Sequence, residues 1–84
     1  MPKALQDYRW LNLKTAFDAG SGSTFLVLQQ NKFSETYYRV LLFENEKRFE
    51  LFRGGSLAGA NNVFQSIAKS HSLVKKAVRN GIPA

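Results

Sequence analysis

The sequence predicts an α+β fold: a four-stranded antiparallel meander with one long C-terminal helix packed on one face. Three observations carry this. Short apolar runs with a period of two fill residues 8–53. Turn residues separate them, above all Asp18-Ala19-Gly20-Ser21-Gly22-Ser23 and Glu44-Asn45-Glu46-Lys47. After Gly54-Gly55-Ser56 the apolar period changes to the 3.6 residues of a helix.

Residues 8–17 read as the first strand, with Leu11, Leu13 and Phe17 on one side and Trp10, Asn12 and Lys14 on the other. A helix over residues 3–17 is the competing reading. Its apolar residues scatter around the helical wheel, which favours the strand. Residues 24–30 form a second strand, rich in β-formers and ending in two glutamines. Residues 36–43 and 48–53 form a hairpin, because Asn45 tolerates the positive φ of a tight turn. The expected register sets Phe43 against Arg48, Leu42 against Phe49, Leu41 against Glu50, Val40 against Leu51, Arg39 against Phe52 and Tyr38 against Arg53.

The helix is expected over about residues 62–80, with Asn61 or Asn62 as N-cap and Gly81 just past its end. At helical spacing Val63, Phe64, Ile67, His71, Val74 and Val78 share one face, and Leu57 and Ala60 extend it backwards. Lys69, Lys76 and Arg79 lie opposite, with Lys75 at the border. Gly59 is expected to keep residues 54–60 partly irregular.

Eighty-four residues make one domain with a modest core. The chain has no cysteine, so disulfides, thiolate metal sites and thiol nucleophiles are excluded, and a reducing compartment fits. Residues 1–10 carry charges and no apolar run, unlike a signal peptide. The longest apolar runs, 25–28 and 40–43, are far below the ~20 residues of a spanning helix. The expectation is a soluble cytoplasmic protein.

Charge and aromatics divide along the chain. The net charge is +6, and every acidic residue lies at or before Glu50. Arg53, Lys69, Lys75, Lys76 and Arg79 follow unbalanced, while ten of the eleven aromatics lie between Tyr8 and Phe52. A partner that is flat and anionic suits this division, and nucleic acid is the first candidate. The expected register gathers Trp10, Lys14, Tyr37, Arg39, Arg48 and Phe52 on the sheet face away from the helix. Bases stack on such rings, and guanidinium groups meet phosphates. Lys69, Lys75, Lys76 and Arg79 would add a basic helix face. The alternatives are an ordinary solvated surface, with Arg39 laid over Phe52, and an interface for an acidic protein partner. Large apolar residues on both sheet faces point to a homodimer.

The order β-β-β-β-α resembles that of Whirly-type and Pur-type single-stranded nucleic-acid-binding domains. The likeness is one of topology, with no sequence signature of either family, so no functional residue is carried over. An α-β-β-β-α order would instead resemble a double-stranded-RNA-binding domain, whose basic helix start is missing from Ser56-Leu57-Ala58-Gly59-Ala60-Asn61-Asn62.

Nothing points to catalysis. His71 is the sole histidine and falls in the apolar stripe, where a structural role is expected. A small ribonuclease using His71 with Arg and Tyr is the enzymatic alternative. Gly54-Gly55-Ser56 has no lysine at P-loop spacing and reads as a plain connection. No cofactor or metal is expected.

Overall fold

The structure, a computed structural model, describes residues 9–20, 22–76, 78, 79, 82 and 83. The four-stranded antiparallel meander is present: β1 (Trp10–Phe17), β2 (Thr24–Asn31), β3 (Tyr38–Glu44) and β4 (Lys47–Gly54). α1 (Leu57–Ser70) lies across β2, β3 and β4 on one face. β5 (Val74–Lys76) then pairs antiparallel with β1, giving the sheet order β4-β3-β2-β1-β5. β6 (Val78–Arg79) and β7 (Ile82–Pro83) form a separate two-stranded pair.

The helix differs from expectation at both ends. It starts at Leu57 because Ser56 caps it: the Ser56 hydroxyl accepts from the Gly59 N–H at 2.9 Å, a bond neither Asn61 nor Asn62 makes. Gly59 is helical and lies close against Phe52. A Cβ there would stand 3.1 Å from the Phe52 ring. The helix stops at Ser70 through a Schellman motif. Ser72 adopts φ 54, its N–H donates to Lys69 O at 3.2 Å, and the Leu73 N–H donates to Ala68 O at 2.8 Å. Leu73 then packs on the core. A serine does here what glycine usually does, so the stop is hard to read in the sequence. The expected helix end at Asn80 and its glycine at Gly81 lie outside the described residues.

Two β-bulges shift the register. Leu41 faces Glu50 and Val40 faces Phe52, so Leu51 is the extra residue of β4. On β1, Asn12 faces Gln29 and Lys14 faces Leu28, so Leu13 is extra. Both leucines pack on the helix-side core. The expected hairpin pairs hold from Phe43–Arg48 to Leu41–Glu50 and fail beyond the bulge, where Arg39 meets Arg53 in place of Phe52. The turn is the expected one, with Asn45 and Glu46 at φ 51 and 68.

The helix-side core joins Ala16, Leu26, Leu28, Val40 and Leu42 to Ala60, Phe64 and Ala68, with Val63 and Ile67 packed at its margin. Val63, Phe64 and Ile67 thus lie on the expected face, whereas Val74 belongs to β5 and is half exposed. His71 is the exposed C-cap residue and not part of the stripe. Its ring Nδ1 lies 3.2 Å from Ile67 O, and its Nε2 lies 3.8 Å from Glu44. On the outer face a second cluster forms around Val27 and Leu41, flanked by Phe25 and Phe43. Among the described residues no helix is long and apolar enough to cross a membrane.

Candidate nucleic-acid interface

β1 and β3 begin, and β2 and β4 end, at the same end of the sheet. On the outer face Trp10, Tyr37, Arg39 and Arg53 meet at this end, while Phe25, Phe43 and Arg48 lie toward the other. Trp10 stands opposite Asn31, and Arg39 stands between Gln29 and Arg53. The Arg39 Nε–H donates to Gln29 Oε1 at 2.7 Å, and Gln29 Nε2 donates to Asn12 Oδ1 at 2.8 Å. This chain of amides fixes the guanidinium 4.0 Å over the Trp10 ring, a distance at which a cation is attracted by the ring face. Arg53 lies 5.9 Å from the rings of both Trp10 and Tyr37. Those two rings are tilted by 41° with centroids 6.1 Å apart.

Burial divides the cluster into support and surface. Trp10 is 7% exposed and Arg39 5%, so neither offers an open stacking face. Tyr37 is half-buried and Arg53 exposed. The bulge at Leu51 creates this arrangement. In a regular strand residues three apart point to opposite faces. Here Glu50 and Arg53 share one face and pair, with Arg53 Nη2 2.6 Å and Nε 2.8 Å from Glu50 Oε1. The hydrogen bond from Arg53 holds the Glu50 carboxyl below its ordinary range; partial desolvation opposes it, and attraction to Arg53, Arg39 and Arg48 assists it. Hydrogen bonds to Glu50 and then to Tyr37 push the Arg53 guanidinium higher still. Both partners are more than a third exposed, so the pair adds little to stability and can open.

The β2–β3 loop completes this end. Asn31 Oδ1 accepts from the N–H groups of Phe33 at 2.8 Å and Ser34 at 2.9 Å, an Asx turn. The Asn31 N–H donates to Tyr37 O, and the Lys32 N–H donates to Arg9 O, each at 2.9 Å. Gln30 Nε2 donates to Glu35 O at 2.6 Å. A loop tied at so many points nevertheless leaves Phe33 75% exposed, beside the exposed Lys32.

Of the residues expected at the interface, Trp10, Tyr37 and Arg39 come together. Arg48 is exposed on the same face, toward the opposite end of β4. Phe52 does not join them: the Leu51 bulge carries it to the helix side, against Gly59 and the core. Lys14 is likewise carried opposite Leu28, a helix-side residue, by the bulge at Leu13. Lys69 is exposed in the last turn of α1. Lys75 and Lys76 belong to β5 and Arg79 to β6, so the expected basic helix face is not one surface. Sequence reasoning missed Arg53, Phe33 and Lys32. The first depends on a bulge with no side-chain signature. The loop did carry a sign in Asn31-Lys32-Phe33-Ser34, an asparagine placed to cap a turn that lifts an aromatic outward.

Among the described residues no group of three His, Asp or Glu side chains is placed to hold a metal ion. No family model, curated protein or solved structure matches the chain.

Proposed function

We propose that this chain is a non-enzymatic, cytoplasmic binder of single-stranded nucleic acid, working at the sheet end formed by Tyr37, Arg53, Lys32 and Phe33. The observation that carries the reading is the cation–aromatic stack of Arg39, Trp10, Tyr37 and Arg53 beside the exposed Phe33. Tyr37 and Phe33 offer π-faces to bases, and Arg53 and Lys32 offer charge to phosphates. Trp10 and Arg39 hold that surface from beneath. Single strands suit it better than a duplex, because stacking needs unpaired bases.

Fluorescence anisotropy with labelled single- and double-stranded DNA and RNA across a salt series tests the proposal. Tighter binding to single strands is expected, and log K should fall with log salt at a slope of about −1.4 if Arg53 and Lys32 each neutralise one phosphate. Tyr37→Ala and Phe33→Ala should each weaken binding by ~1–3 kcal/mol per stacked base. Absence of binding to every oligonucleotide at low salt would sink the reading. An acidic protein partner then becomes the better one, since an exposed Phe33 beside Lys32 is also what anchors such a partner.

A further inference from the structure

β4 is the last strand of its sheet, and among the described residues no strand pairs with its far side. Lys47, Arg48, Phe49 and Glu50 are all exposed there, Phe49 by 45%. Such an edge is a template for another strand, and charges usually protect it. In β4 the charges alternate: Arg48 and Glu50 lie on the outer face, opposite Phe43 and Leu41, with Phe49 between them on the helix side, opposite Leu42.

We propose that β4 pairs antiparallel with β4 of a second copy of this chain, with the two-fold axis at Phe49. The register follows from symmetry and charge. A two-fold that pairs identical strands antiparallel runs normal to the sheet and sets one residue against its own copy. Centred on Arg48, it would set arginine against arginine and Glu50 against the second copy's Glu46. Centred on Glu50, it would set two carboxylates together. Centred on Phe49, it sets Arg48 against the second copy's Glu50 twice, and the two exposed phenylalanines meet on the helix side. The regular part of β4 before its bulge at Leu51 supplies these pairs. The strand's protective charges therefore repel other edges and match their own. Both copies of α1 then lie on one side, and the outer faces form one continuous surface. The inference is independent of any ligand.

The chain has no cysteine, which makes cross-linking a clean test. Directly opposed residues of an antiparallel pair lie ~4.5–5.5 Å apart at Cα, within the ~4.4–6.8 Å of a disulfide. Phe49→Cys should cross-link fast and nearly completely under mild oxidation, and Lys47→Cys, which faces Leu51 of the second copy, should not. Light scattering should give the dimer mass for the native chain, the monomer mass for Arg48→Glu and for Glu50→Arg, and the dimer mass again for the double charge swap. Circular dichroism confirms that each variant is folded. A monomeric native chain overturns the proposal. So does a dimer that survives both single reversals, or whose Phe49→Cys variant cross-links no faster than Lys47→Cys, because the second copy then sits elsewhere.

Discussion

At the residue scale the cluster separates side chains that hold from side chains that present. Trp10 is interior, covered by the Arg39 guanidinium. Trp10→Ala should cost ~3–5 kcal/mol in urea unfolding, and Tyr37→Ala and Phe33→Ala much less, while these two lose binding. Glu50 occupies Arg53 as an internal anion, so Glu50→Gln should tighten oligonucleotide binding. Glu46→Gln, the same charge change at the far turn, should tighten it less, and equal gains would mean that net charge alone matters. The pH dependence has a definite sign. Glu50 has a depressed pKa in the folded state, so its small contribution to stability is present above its unfolded pKa. That contribution is lost as pH falls through the lower folded value. Binding should tighten over the same acidic window as Arg53 is released. Asn61 shows the opposite situation: its Oδ1 is buried without a hydrogen-bond partner. Such an acceptor costs ~1–3 kcal/mol, and Asn61→Ala should leave the melting temperature unchanged or raise it. A clear drop would mean that the amide is satisfied in solution.

At the element scale, stability rests on a few backbone positions. Ser72 holds a left-handed conformation to end α1, and Glu46 holds one in the β3–β4 turn. Such a conformation costs a non-glycine residue ~1–2 kcal/mol, partly offset because glycine makes the unfolded chain more flexible. Ser72→Gly and Glu46→Gly should each stabilise the chain by up to ~1 kcal/mol. Gly59→Ala should destabilise it despite alanine's better helix propensity, because the new methyl group meets the Phe52 ring. Thermal melts of the three variants check both signs. The elements legible in the sequence were those with strong periodicity and recognised turn residues: four strands, the Asn45 turn, and a helix presenting Val63, Phe64 and Ile67. The parts that misled were set by geometry with no residue of its own. Leucines fill both bulges, so nothing marked Leu13 and Leu51 as extra, and each moved every residue beyond it to the other face. That is why Lys14 and Phe52 were expected beside Trp10 and Arg53 was not. The Schellman stop at Ser72 hid the helix end in the same way, because Val74 continues the apolar spacing by coincidence while forming β5.

At the scale of the whole molecule, the helix and the cation–aromatic cluster sit on opposite faces of one sheet. The buried amide chain from Asn12 through Gln29 to Arg39 runs beneath the outer face and ties its support to the central strands. Binding should therefore ask for little rearrangement beyond the opening of the Glu50–Arg53 pair. The most direct test is an amide chemical-shift titration of the labelled chain with a short single-stranded oligonucleotide. The result expected is saturable perturbation concentrated at Lys32, Phe33, Tyr37 and Arg53, with the exposed helix positions Gln65, Ser66 and Lys69 unmoved. Perturbation centred on α1 with the sheet end silent, or no perturbation at low salt, would contradict the placement of the site.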